Sequence, residues 1–283
     1  MQKKQFISIG VAILFIIALY FLGDFRGSKA TKTADTSSES AHQHQDEATQ
    51  NMETFDILAH YTSQATKLTG DDKKKIDALY DAFQKNKTPE ICRDLAEYWE
   101  KKNEIDIAAY FYKNGAFLEN TEKSLTFAGQ LLLAIMSRTD NQPIRRWQAM
   151  EAIECFEKTL QLNPENIDAK VALATCYTEG TGETMKGVTL LREVTQKDST
   201  NISANIILGK LAIQSGQFDK AQRRLEMVLG LRPDNTEAMY FLAEAYKGLG
   251  QKDKAIEMFE KCKTLVNNPD FAREIDNYIK SFK

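Results

Sequence analysis

Hydrophobic and polar positions divide the chain into three stretches. Residues 5–23, with the core FISIGVAILFIIALYFL, hold no charged side chain and stand between Lys3/Lys4 and Asp24/Arg26. A helix of that length spans about 28 Å, close to a bilayer hydrocarbon core of about 30 Å. The run therefore predicts a single transmembrane anchor behind a short tail, residues 1–4. A cleaved signal peptide is the rival reading, since Ser28 and Ala30 have the spacing a signal peptidase accepts. The apolar run is too long for it, and Asp24, Arg26 and Lys29 crowd the cleavage site. Residues 24–50 are polar, with SKATKTADTSSESAHQHQDEATQ from Ser28 onward, and cannot bury enough surface to fold. They read as a tether.

From residue 51 onward apolar side chains recur at helical spacing, and strand-like alternation is not apparent. Phe55, Leu58 and Tyr61, then Ile76, Leu79, Tyr80 and Phe83, predict a helical hairpin over 51–88, broken at Thr69, Gly70 and Asp71. Phe271, Ile275, Ile279 and Phe282 predict a last amphipathic helix over 269–283. Between them the pattern repeats. Leu208/Leu242, Gly209/Ala243, Ala221/Ala255, Leu225/Phe259 and Val228/Cys262 each stand 34 residues apart. Small residues at the second and third of these positions let two helices cross closely, the larger ones fill the space beside the crossing, and Pro233 stops the second helix.

The stretches LGKLAIQSGQFDKAQRRLEMVLGLRPDN and LAEAYKGLGQKDKAIEMFEKC resemble the tetratricopeptide repeat family. The family's tryptophan near the start of the unit is missing from both copies. Leu173, Ala174, Tyr177, Gly187, Leu191 and Val194 fill the same roles one unit earlier, with one extra residue in a TGET turn where Gly180 and Gly182 read as turn glycines. Leu125, Ala128, Gly129 and Leu132 with Ala152, Phe156, Leu160 and Pro164 form a longer unit. Leu95, Ala96, Trp99, Ala108, Tyr112 and Gly115 form the first. Five repeats result: 89–121, 122–166, 167–201, 202–235 and 236–268. The expected fold is all-α, a solenoid of helix-turn-helix repeats with a carboxy-terminal capping helix, preceded by one transmembrane helix. The resemblance implies a right-handed superhelix.

Composition narrows the function. Lys plus Arg number 37 against 40 Asp plus Glu, a formal charge of -3, so no basic face serves a nucleic-acid backbone. Four cysteines, Cys92, Cys155, Cys176 and Cys262, lack any zinc spacing and read as small core residues, with a Cys155–Cys176 disulfide as the alternative. His42 and His44 read as solvated tether residues rather than metal ligands, because a flexible pair has no fixed geometry. There is no GxSxG, HExxH, Walker or Rossmann motif. The GxG at Gly180 lacks a preceding strand and a following GK[ST], so it is not a phosphate loop. No catalytic residue, cofactor or metal is expected.

The resemblance implies a concave groove lined by the first helix of each repeat, where proteins or peptide segments bind. Its positions fall on Val171, Thr175, Thr178 and Glu179, then Ile206, Lys210, Ile213 and Gln214, then Tyr240, Glu244 and Lys247. This mixed surface suits an amphipathic segment, and the Lys/Asn/Lys/Arg set with which some family members grip a terminal carboxylate is missing. In a second reading Ile206, Ile213 and Tyr240 pack against neighbouring repeats or the capping helix. Asp140, Asn141 and Pro143 predict the start of a long helix running to Leu162, whose early Arg145, Arg146 and Trp147 are expected to project as a secondary contact site. The alternative has Trp147 folded back on Ile135 or Met136. The expected function is a membrane-anchored scaffold with its repeats in the periplasm, held to a bacterial inner membrane, its layout similar to that of repeat proteins of secretion, cytochrome maturation or envelope assembly. Two rivals stay open: end-to-end self-assembly into homo-oligomers, and a hydrolase using groove carboxylates.

Overall fold

The computed structural model describes residues 54–282. The anchor, the tether and its two histidines lie outside the described residues. Among the described residues there are thirteen α-helices and no strand, and no helix is long and apolar enough to cross a membrane. In chain order they are α1 (Ile57–Ala65), α2 (Gly70–Lys85), α3 (Pro89–Lys101), α4 (Ile105–Glu119), α5 (Glu122–Met136), α6 (Gln142–Leu162), α7 (Ile167–Thr175), α8 (Thr184–Lys197), α9 (Ile202–Gln214), α10 (Phe218–Leu231), α11 (Thr236–Gly248), α12 (Lys252–Val266) and α13 (Pro269–Lys280).

Local chemistry sets these bounds. Asn166, Asn201 and Asn235 each stand one residue before a helix and accept a hydrogen bond from the backbone N–H three residues on, at 2.8, 3.0 and 2.7 Å. Thr88, Thr121 and Asn141 cap α3, α5 and α6 in the same way. Each such bond satisfies one of the orphan donors at a helix start. Within the pairs the chain turns through left-handed backbone at Asn103, Gly182, Gly216 and Gly250, residues for which that region is inexpensive. The first break differs from the expectation: α1 ends at Ala65 and Gly70 already opens α2, because Thr69 is extended and Asp71 and Asp72 favour the first turn of a helix.

Successive helices pack in pairs, α3 with α4, α5 with α6, α9 with α10 and α11 with α12, while α9 also touches both α7 and α11. The small residues lie at the crossings. Gly187 meets Ala174, and a Cβ at Gly187 would stand 2.7 Å from the Ala174 carbonyl. The apolar faces form four buried clusters along the stack, holding Ile76 and Phe83, Leu125 and Phe156, Leu191 and Ala204, and Phe259 and Phe271. On α13 Phe271, Ile275 and Ile279 are buried against the end of the stack. All four cysteines are buried free thiols.

The extra residue of the third pair is absorbed in a way the sequence did not suggest. Helix α7 runs on into a π-helical turn, Cys176–Thr181, before Gly182 reverses the chain. Of the two glycines Gly180 and Gly182, Gly182 alone is a turn glycine. Gly180 lies inside the helical turn and allows contact with α6, since a Cβ there would stand 2.2 Å from Ala149 Cβ. π-turns of this kind hold one surplus residue without breaking the helix.

Candidate functional site

A cleft of about 240 Å³ opens on the side formed by α7, α9 and α11 and closed at one end by the start of α6. Its apolar walls are Ile207, Leu211, Tyr240 and Phe241; its polar groups are Arg145, Thr178, Glu179, Lys210 and Gln214. Lys210 Nζ pairs with Glu179 Oε1 at 2.6 Å, both half-buried. Glu237, one turn before Tyr240, faces the same two charges, and burial holds its carboxyl above the ordinary range although Lys210 opposes the shift. The result is a pocket with an apolar floor and a fixed ion pair on its wall.

Of the eleven predicted groove residues, Thr178, Glu179, Lys210, Gln214 and Tyr240 line this cleft. Val171 and Thr175 are half-buried on α7, where Thr175 returns its hydroxyl to the Val171 carbonyl at 3.0 Å. Ile206 and Tyr240 are only 5% and 3% exposed and belong to the core with Phe259 and the capping helix, with Ile213 packed at its edge. Their side chains satisfy the packing reading. Glu244 and Lys247 face α13. Lys247 lies over the Tyr278 ring at 4.1 Å and bonds its hydroxyl, and Glu244, 6% exposed, has its carboxyl raised chiefly by burial. Glu244 and Lys247 are thus covered by the chain's own final helix. Ile207, Leu211 and Phe241 were not singled out from the sequence. They sit one residue from expected groove positions.

The expected projection of Arg145, Arg146 and Trp147 is corrected. Arg145 turns inward, its Nε donating to the Glu179 carbonyl at 3.1 Å and its Nη1 to the Met136 carbonyl at 3.2 Å. It thereby caps the end of α5 and the π-turn together, because both leave carbonyls without helical partners. Trp147 is half-buried and meets Phe55 edge-on at 5.2 Å, joining the amino-terminal hairpin to the stack. It packs against both the hairpin cluster and the α5/α6 core, on whose edge Ile135 also lies. Only Arg146 of the three is exposed. His60 bonds Glu104 at 3.2 Å beside that hairpin. Among the described residues no cluster of His, Cys, Asp and Glu is arranged to hold a metal ion.

The model of the tetratricopeptide repeat family matches residues 208–265. Interferon-induced protein with tetratricopeptide repeats 3 of Mus musculus is 27% identical over 117 residues, covering 40% of this chain and 29% of that protein. Lipopolysaccharide assembly protein B of Haemophilus influenzae is 26% identical over 147 residues, covering 50% and 35%. The matched stretches thus span about a third or less of these two relatives. Among solved structures, MamA has a TM-score of 0.47 at 21% identity, covering 62% of this chain and 91% of that one. YrrB, described as a TPR protein with an unusual peptide-binding site, has a TM-score of 0.44 at 21% identity, covering 71% and 98%. With the family model placed on α9 to α12, residues 208–265 match the tetratricopeptide repeat family, and the same helix pair, asparagine cap and small-residue crossing recur before them.

Proposed function

We propose that this protein is a membrane-anchored interaction scaffold whose cleft between α7, α9 and α11 takes an amphipathic segment of a protein partner. The observation that carries the reading is the cleft itself, with apolar Ile207, Leu211 and Phe241 beside the Lys210–Glu179 pair and Gln214 at the rim. An apolar floor supplies most of the binding free energy, and a few placed polar groups set orientation. Tetratricopeptide repeats are protein-interaction modules, which favours a scaffold over an enzyme. A photo-crosslinking side chain at Gln214 of the full chain, in membranes, should capture a protein that the same group at exposed Gln196 of α8 does not. Lys210→Glu should abolish the adduct in protein that circular dichroism shows to be folded. An equal adduct from both positions, or one indifferent to Lys210→Glu, would overturn the cleft as the binding site.

Residues 5–23 are the anchor and residues 24–50 the tether in this reading, with the repeats on the periplasmic side of a bacterial inner membrane. The likeness to lipopolysaccharide assembly protein B supports envelope assembly as the process served. A cysteine at Ser38 should react with a membrane-impermeant maleimide in intact spheroplasts. Protection until lysis would place the repeats in the cytoplasm, and a mature chain beginning near Thr31 would remove the anchor.

A further inference from the structure

A second groove, of about 250 Å³, lies between the second helices α8 and α10, floored by α9. It carries the opposite balance from the cleft. Arg192 enters from α8, and Lys220 and Arg224 enter from α10 one turn apart; no carboxylate lines it. Arg224 is held in place by Asn205, a residue only 1% exposed, whose amide oxygen accepts from Nη1 at 2.7 Å while its own Nδ2 donates to the carbonyls of Ser199 and Asn201. Lys220 bonds only the neutral Gln217. No acid is bonded to any of the three among the described residues, in a chain with more acids than bases whose Lys113, Lys197, Lys210 and Lys263 are all paired. Facing like charges cost free energy, and the strain is felt at Arg224, which burial and Arg192 together push below the usual guanidinium range.

We propose that this groove binds an acidic segment of a protein partner, its carboxylates on Arg192, Lys220 and Arg224 and an aliphatic side chain on Val188 and Ala212. Charge complementarity chooses the carboxylates, since a planar guanidinium fixed from behind matches them at two points. The apolar wall chooses a peptide over a free phosphate, which would leave Val188, Ala212 and exposed Met185 uncovered. The groove shares only Leu211 with the concave cleft and none of its charged groups.

The probe is a short fluorescein-labelled peptide alternating glutamate and leucine, titrated by anisotropy against the full chain in a mild non-ionic detergent. Binding should weaken by about tenfold or more in Arg192→Glu/Lys220→Glu, whose side chains are exposed, and also in Arg224→Gln, while Lys210→Glu leaves it unchanged. Circular dichroism checks that each variant is folded. Four outcomes overturn the proposal: no binding of the peptide, equal binding by the double variant, equal binding of a lysine–leucine peptide, or displacement by inorganic phosphate at the peptide's own concentration, which would make this a small-anion site.

Discussion

Gly180→Ala should destabilise the repeats even though alanine is the better helix former. A methyl group there would stand 2.2 Å from Ala149 Cβ and 2.8 Å from Met136 Sδ, where ordinary contact needs about 3.5–4.0 Å. Neither neighbour can yield cheaply, since Ala149 and Met136 are both fully buried and Ala149 has no rotamer to change. The π-turn or α6 must therefore shift by more than about 1 Å, and overpacking of that kind costs about 1–3 kcal/mol or somewhat more. Helix propensity returns up to about 1 kcal/mol. The net loss is about 2 kcal/mol, a fall in thermal midpoint of about 4–8 °C for a domain of this size. Gly230→Ala is the control: nothing lies within 4 Å of its added methyl, so it should stabilise by about 0.5–1 kcal/mol. Thermal melts followed by circular dichroism measure both, and Ala149→Gly added to Gly180→Ala should recover part of the loss by removing the atom that clashes. A Gly180→Ala protein as stable as the parent, or more so, would refute the packing role assigned to this glycine.

Arg145→Ala should cost about 1–3 kcal/mol by stranding the Met136 and Glu179 carbonyls, whereas Arg146→Ala stays within about 0.5 kcal/mol; equal effects in urea melts would contradict the assignment. Trp147→Ala should cost about 2 kcal/mol and speed amide exchange in α1, since its ring is the contact for Phe55. Glu244, Glu237 and Asp106 are raised by burial, so each holds its proton more tightly folded than unfolded. Stability must then fall as pH rises from about 4 through their folded values, and Glu244→Gln should raise the midpoint at neutral pH and flatten that slope. Burial pushes the Cys92 thiol up to about 11 and those of Cys155, Cys176 and Cys262 to about 12, so iodoacetamide at mildly alkaline pH should label none of them until the protein unfolds.

The helices and their pairing were legible in the chain because their causes are local. An asparagine at 166, 201 or 235 caps the helix that follows whatever else surrounds it, and the small residues at Gly209 and Ala221 mark a crossing because only they fit one. What tertiary structure decided was exposure. Glu244 and Lys247 occupy groove positions by register, yet α13 covers them, and Ile206 is sealed by its neighbours. The surplus residue before Gly182 was visible as a count, but the π-turn that holds it and its contact with Ala149 of a different helix were not. Arg145 likewise looked like a surface residue until two helix ends were placed within its reach. Arg192, Lys220 and Arg224 share no motif, since they meet only when α8 and α10 stack across α9. Periodicity is written in the nearest few residues, whereas coverage and convergence are set by which helices lie side by side, and that follows from the packing of the whole stack.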